Sequence, residues 1–407
     1  MGTQVTSAQA VKLQNAALFT AASRNHSFTN MLTGAAPKVA QGQKKGKIQT
    51  DKGAPVVRIT DLEKQAGDNV EVDIVHKLNK KPTMGDRKLE GRGEDITTAS
   101  FNLSINQGRH LVDSGGKMSQ QRTKHDLLRT SRVLLGSYFN DLDDQITQVH
   151  MAGARGDYMA TDSIVPLASD AEFAEIMVNP VTPPTYDRHF YGGDATALDN
   201  IDAADVFSLA SVDNLSLALE ELASPMQYLS LTGDEMANES PYFILNVTAR
   251  QWNDFYTSTA GKDWQKMAAD AMNRSKGFNH AIFKGQTAMW RNILVRKMSR
   301  PIRFNAGSTV SVGVNDNAAS VTNKTAGVTI DRAILLGSQA LATAFGRSGD
   351  KATGSHFSMS TEKTDHGNAN ETAICWMNGK AKIRFKDKNG RINDHGVIVL
   401  DTAVTGI

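Results

Sequence analysis

The sequence predicts an α+β fold built around one long helix, and three observations carry that expectation. Between Met118 and Ala152 there is no proline, and Leu128, Leu135, Phe139, Leu142, Ile146 and Val149 recur at steps of seven, four, three, four and three. That spacing sets them on one helical stripe. Val70, Val72 and Ile74, and later Phe101, Leu103 and Ile105, alternate with polar residues, which is the two-residue period of strands. Tyr242 to Val247 is a continuous apolar run lying among helical stretches, as expected of a strand buried on both faces.

Taken in order, residues 1–53 read as an arm. A weakly amphipathic segment from Val11 to Phe19 leads into small and polar residues, then into a Gly-rich stretch with Lys44, Lys45 and Lys47. Such a segment buries too little apolar surface by itself to offset its ordering entropy, so it is mobile or drapes over a neighbour. The two alternating stretches form a hairpin. Their connection, Asn79 to Gly93, is polar and basic, with Lys80, Lys81, Arg87, Lys88 and Arg92. It is far longer than a usual hairpin loop of two to five residues, and a loop projecting in this way finds its partner on another subunit.

Gly115 and Gly116 are the joint that feeds the long helix, with Ser119 as its expected N-cap and Gly153 as its stop. At ~1.5 Å per residue the helix spans on the order of 50 Å. Its polar face carries Arg122, Lys124, Arg129, Arg132, Asp141, Asp144 and Gln148. The stretch from Arg155 to Asn200 is loop-like, because Pro166, Pro180, Pro183 and Pro184 interrupt any long element. A second helix is expected over 204–223, then one capped by Thr248 and running through Trp252 and Phe255, and one over Trp264 to Met272. Met289 to Val295 and Val328 to Leu336 read as strands, with a loose hairpin or exposed loop over 305–327. In the tail, Ile374, Trp376, Ala381, Ile383 and Phe385 alternate around Asn378-Gly379, the dipeptide most favoured for a tight hairpin turn. Val397 to Leu400 is a final strand.

Composition limits the function classes. No run approaches the ~18 apolar residues of a membrane span, and the N-terminus has no secretory pattern. Cys375 is the only cysteine, which excludes an internal disulfide framework and a cysteine-rich metal site and fits folding in the cytosol. The Asn-x-Ser/Thr triplets at Asn102, Asn214 and Asn246 then read as chance matches. A net charge of +2 argues against a dedicated nucleic-acid binder.

Charge is nevertheless segregated. Asp194 to Glu239 holds no Lys or Arg, whereas Lys262 to Arg303 is strongly basic. These are either two solvated faces or complementary edges through which copies of the chain meet, with Asp202, Asp205 and Glu221 opposite Arg296 and Lys297. Catalytic spellings are missing. Gly115-Gly116-Lys117 fails as a phosphate loop, since Leu111 and Met118 stand where Gly and Ser or Thr are needed, and GxSxG and HExxH do not occur. The histidines, His76, His110, His125, His150 and His189 among them, are scattered and read as surface, helix-face or loop residues. No catalytic residue, cofactor or metal is expected, and the weight falls on a structural role.

Four stretches carry a family resemblance: Val11-Lys-Leu-Gln-Asn-Ala-Ala-Leu-Phe, Lys81-Pro-Thr-Met-Gly-Asp-Arg-Lys-Leu-Glu-Gly, Asn179-Pro-Val-Thr-Pro-Pro-Thr and, most specifically, Ser104-Ile-Asn-Gln-Gly-Arg-His-Leu-Val-Asp-Ser-Gly-Gly-Lys-Met-Ser-Gln-Gln-Arg-Thr. With the order of elements, they make the chain resemble the major capsid proteins of tailed bacteriophages, and more closely the N-four-like branch. The likeness covers nearly the whole chain, although the α/β stretch and the loop 305–327 match only in layout. It implies the tailed-phage major capsid fold: an N-terminal arm over 1–53, an extended β-hairpin loop over 54–110, a peripheral domain over 111–200 containing the spine helix 118–152, an α/β axial domain over 201–350, and C-terminal strands over 351–407 returning to the peripheral domain. It also implies a homo-oligomer of hexamers and pentamers in an icosahedral shell around double-stranded DNA, held without sequence-specific binding. The expected partners are a separate scaffolding protein, since the arm is short, a portal protein and a decoration protein, with no membrane. The expected location is the virion, after assembly in the host cytoplasm. An encapsulin-like shell enclosing protein cargo is the alternative.

Overall fold

A computed structural model describes residues 28–33, 53–59, 67–231, 233–234, 239–346 and 357–404. The amphipathic segment Val11 to Phe19 and the cluster Lys44, Lys45 and Lys47 lie outside the described residues. The described residues start with a helical turn, α1 (Phe28–Leu32), and strand β1 (Val56–Ile59). Strands β2 (Asn69–Val75) and β3 (Thr98–Ser104) form the expected hairpin, pairing Val70 with Leu103 and Val72 with Phe101. The alternating apolar face therefore lies on one side of the ribbon and packs on Ala342, Ala344 and Ile383.

Strand β4 (Asn106–Gly116) passes through the Gly115-Gly116 joint into α2 (Lys117–Gln121), and the principal helix α3 (Leu127–Ala152) follows. The expected single helix is thus interrupted. Gln120 donates to the carbonyl of His125 at 2.7 Å and accepts from the amide of Leu127 at 3.1 Å, closing a turn between the two. Asp126, not Ser119, is the N-cap, its Oδ1 accepting from the Arg129 amide at 3.0 Å. The 26 residues of α3 span about 39 Å at ~1.5 Å each. Gly153 ends it as expected, with a left-handed φ of 66°.

Beyond α4 (Glu172–Met177) and β5 (His189–Tyr191) comes α5 (Leu209–Glu221), opened by a capping box of Ser208 and Ser211. Strand β6 (Phe243–Val247) is buried throughout, and Thr248 caps α6 (Ala249–Ser258) as the sequence indicates. Helix α7 (Gly261–Gly277) follows. The single strand expected over Met289 to Val295 is instead a tight hairpin of β7 (Thr287–Trp290) and β8 (Ile293–Lys297), reversing at Arg291, whose φ is 49°. After β9 (Arg303–Phe304), the expected loose hairpin appears as β10 (Thr309–Gly313) and β11 (Val321–Thr325), and the chain continues into β12 (Ile330–Leu336) and β13 (Leu341–Phe345). The tail comprises β14 (Phe357–Thr364), β15 (Ala369–Lys382), the small hairpin β16 (Arg384–Lys386) and β17 (Ile392–Asp394), and β18 (Val397–Ala403).

Two sheets result. The first joins β1, β13, β15 and β14, with β4 along the other edge of β15; the second runs β5-β18-β12-β6-β8-β7, with β9 against β12. The closing strands therefore divide: β14 and β15 enter the first sheet, whereas β18 lies between β12 and β5 in the second. Nor is there a turn at Asn378-Gly379, because β15 runs straight through them. The reversal from β14 falls at Asp365–Gly367, where Asp365 and His366 have φ of 51°. Gly379 is glycine for another reason. A Cβ there would lie 1.9 Å from the carbonyl oxygen of Ser104, where Asn179 ties Ser104 (2.9 Å) to Lys380 (3.1 Å) through their carbonyls.

The apolar stripe of α3, from Leu135 to Val149, packs on Ile374 and Trp376 of the first sheet. The second sheet packs α5, α6 and α7 on one face through Leu215, Phe255 and Met267. Its other face meets Phe28, Leu32, Met151 and Ala152, so the last turn of α3 joins both sheets. This burial overturns part of the expected polar face: Asp144 and Gln148 are buried, and Asp144 accepts the amides of Phe28 (2.7 Å) and Thr29 (2.8 Å).

Two glycines give opposite expected outcomes in chemical denaturation of the unassembled subunit. A Cβ on Gly136, inside α3, would meet only Met359 Cε at 3.8 Å, so Gly136→Ala should stabilise by roughly 0.5–1 kcal/mol. Gly379→Ala forces β15 from Ser104 and should cost ~1–3 kcal/mol.

Candidate functional site

The connection between β2 and β3 is held at its root by charge. Glu94 accepts the amides of Asn79 (3.0 Å) and Lys80 (2.8 Å) and the ammonium of Lys388 from the β16–β17 turn. The Lys80 ammonium donates to the carbonyl of Gly93 at 2.6 Å, and that of Lys388 to Asn79 Oδ1 at 2.7 Å. Hydrogen bonds from Lys388 and the two amides draw the Glu94 carboxyl down to a pKa of about 2. Of the five basic loop residues, Lys80 thus serves the root, while Lys81, Arg87, Lys88 and Arg92 are exposed beyond it.

Sequence reasoning missed the loop's apolar residues. Met84, Leu89 and Ile96 are 71%, 73% and 76% exposed, and Leu78 and Val75 are exposed beside them. Exposed apolar side chains recurring within one loop and its root differ from the singly scattered surface residues that need no explanation. The available signal was large apolar side chains inside an otherwise polar loop.

The two charged tracts are partly a private arrangement. Asp213 pairs with Arg291 at 2.8 Å, Asp234 with Arg274 at 2.6 Å in a buried bridge, and Asp199 with Lys324 at 2.8 Å. Asp205 is a correction to the expected acidic edge. Only 2% exposed, it accepts the Asp202 amide at 2.9 Å and, through its carbonyl, the Ala403 amide at 2.9 Å. It fixes a turn and cannot reach a second subunit. Asp202, Glu221 and Lys297 remain exposed, and Arg296 is half-buried with its Nη1 donating to the carbonyls of Ala281 (3.1 Å) and Ile282 (3.0 Å). No ion pair among the described residues brings Asp202 or Glu221 onto Arg296 or Lys297.

Other charged groups bind the subunit internally. Arg332, fully buried, donates to both oxygens of Asp401 at 2.7 Å and to the carbonyl of Ala152 at 3.0 Å. His189 stands 2.7 Å from the same carboxyl. Burial pushes the Asp401 carboxyl up, but Arg332 and His189 outweigh it and hold it well below the carboxylate range. Burial lowers His150 to about 4, its Nε2 lying 3.3 Å from the Met177 carbonyl. His150 lies on a helix face as expected, but on a buried one, and His189 is buried in β5 and not in a loop. Among the described residues, no helix is long and apolar enough to cross a membrane.

The clamp at Glu94 has a definite pH dependence. Its folded pKa is depressed, so its contribution is present above the ordinary carboxylate range near 4.3 and lost as pH falls through about 2. In hydrogen exchange, Glu94→Ala should raise exchange at the Asn79 and Lys80 amides at neutral pH while leaving β6 and β12 protected.

Comparison with known proteins agrees with the architecture. The family model described as phage capsid protein matches residues 2–406. The major capsid protein of Pseudomonas phage KPP25 is 25% identical over 201 residues, 47% of this chain and 49% of that protein; the chain thus matches about half the length of this curated relative. The capsid of Ralstonia phage GP4 superposes with a TM-score of 0.71 at 26% identity, covering 91% of this chain and 94% of that one. The capsid subunit of cyanophage Pam1 shares the fold, with a TM-score of 0.62 at 18% identity over 96% and 95%. The chain belongs to the phage capsid protein family, with the fold of tailed-phage capsid subunits.

Proposed function

We propose that this protein is a major capsid subunit that assembles as hexamers and pentamers into an icosahedral shell around phage double-stranded DNA, and that the loop over 76–97 is its principal clasp on a neighbour. One observation carries the clasp: a loop fixed at its root by Glu94 and Lys388 presents Met84, Leu89 and Ile96 to solvent. Burying such side chains on a second copy stabilises by roughly 1.5–3 kcal/mol each before ordering costs. Contacts of this size, repeated by every subunit, add up to a stable shell while each remains reversible during growth.

In this reading β2 and β3 are the base of the extended loop, α3 is the spine, the first sheet belongs to a peripheral domain, and the second sheet with α5 to α7 forms most of an axial domain. The role is structural and uses no catalytic residue or cofactor. A separate scaffolding protein, a portal and a decoration protein are the proposed partners, with assembly in the host cytoplasm and residence in the virion. The narrower kinship with the N-four-like branch rests on the sequence stretches that suggested it. Family membership and the phage capsid relatives favour this reading over an encapsulin-like compartment.

Removing Lys80 to Arg92 should leave a folded subunit, by circular dichroism and unfolding, that forms no particles by electron microscopy; normal shells would sink the clasp. Wild-type particles should contain genome-length DNA, whereas packed enzyme would identify a compartment. Charge reversal at Asp202 and Glu221, leaving Asp205 intact, should weaken assembly most at low salt. Indifference to ionic strength would return these two residues to the solvated surface.

A further inference from the structure

A cavity of about 150 Å³ lies at the root of the projecting loop, walled by Ile74 of β2, Pro225 beyond α5, Phe385 of β16, and by Arg188 and His395. Arg188, only 1% exposed, differs from the other buried cations. Arg274, Arg332, Lys380 and Lys382 each meet a carboxylate at 2.6–2.7 Å. Arg188 meets only carbonyls, its Nε donating to Asp394 at 3.1 Å and its Nη2 to Ser224 at 2.6 Å. Its Nη1 has no partner among the described residues. The carboxylates around the cavity are committed elsewhere. Asp394 takes Lys382 and Arg384 at 2.7 and 2.6 Å, Asp187 pairs with Arg391 at 3.2 Å, and Asp387 accepts the amides of Asn389 (2.9 Å) and Arg391 (2.7 Å). His395 adds a second donor. Its Nε2 is likewise buried without a partner among the described residues, and its ring stands edge-on to Phe385 at 5.6 Å. Burial and the nearby Arg188 push the His395 pKa down, so at neutral pH the imidazole is uncharged and Nε2 donates in one tautomer.

A buried charge without a counter-charge is costly, and the two free donors call for a singly charged acceptor. A carboxylate supplies one oxygen for each donor. Its carbon stem suits the apolar wall of Ile74, Pro225 and Phe385, and it sets one negative charge beside Asp387 and Asp394 where a phosphate dianion would set two. We propose that this cavity is a carboxylate-binding site in which Arg188 Nη1 and His395 Nε2 hold the two oxygens. The carboxylate belongs to a small free acid or to an acidic side chain of another copy, and the second source rests on the shell reading above. Occupancy ties Ile74, at the foot of the loop, to the β16–β17 hairpin whose Lys388 holds the same root.

The test titrates sodium acetate into the purified, unassembled full-length subunit at neutral pH, with acetate exchanged for chloride at constant ionic strength. Histidine labelled with carbon-13 at Cε1 reports the site by nuclear magnetic resonance, the His395 signal being the one absent from His395→Phe. Acetate should move that signal saturably, with a Kd on the order of 1 mM for so small a ligand, while inorganic phosphate should leave it in place. Arg188→Met also frees the carbonyls of Ser224 and Asp394 and risks unfolding, so the second variant is His395→Phe, which keeps a ring against Phe385. It should melt like the wild type without acetate and bind acetate roughly tenfold more weakly, read from the acetate-dependent rise in Tm. No saturable shift, an equal shift with phosphate, or unchanged acetate affinity in His395→Phe overturns the site. Particle yield by electron microscopy then separates the sources: fewer shells from His395→Phe assign the carboxylate to another copy, and a wild-type yield assigns it to a free acid. Because acetate binding is read on free subunits, a wild type that forms no shells overturns only the shell reading.

Discussion

The arrangement of the subunit depends on Arg332. A helix ends with carbonyls that lack intrahelical partners and carry partial negative charge; here the carbonyl of Ala152 receives Arg332 from β12. The same guanidinium is locked by both oxygens of Asp401 from β18, and His189 from β5 completes the group. A buried charge without its partner is costly, and a fully paired one is tolerated mainly because it admits a single geometry. The junction therefore specifies how α3 meets the second sheet.

The other end of that geometry is set on α3 itself. Its apolar stripe lies on the first sheet, and Lys380 of β15 reaches Thr147 at 2.6 Å and the carbonyl of Asp143 at 2.8 Å. One turn away, Asp144 takes the amides of α1, and Thr147 meets Thr29 at 2.9 Å. A single helix thus fastens the first sheet, the second sheet and the start of the described arm. With so many fixed bonds on α3, the proposed contact with other subunits falls on the loop clamped by Glu94.

The clamp and the loop divide the work. Charged groups with defined geometry orient the root, whereas the side chains exposed beyond it are apolar, as the proposed clasp requires. Internal ion pairs serve a related purpose in the charged tracts. Asp213 with Arg291 and Asp234 with Arg274 consume charge that, viewed along the chain, looks available to a neighbour.

The sequence by itself determined what short-range physics decides: the stripe of α3, the alternation of β2 and β3, the buried run of β6, the Thr248 cap and the stop at Gly153. Each depends on residues within a few positions of one another, where period and capping chemistry suffice. The quoted motifs also carried the family. Tertiary structure decided what depends on residues far apart in the chain. Asn378-Gly379 has the local preference of a turn, yet Gly379 lies within β15 and is glycine because β3 passes too close for a Cβ. Asp144, Gln148 and Asp205 look like surface residues until α1, α3 and β18 converge on them. The exposure of Met84, Leu89 and Ile96 was equally hidden, because an apolar residue in isolation does not disclose whether its own subunit will cover it.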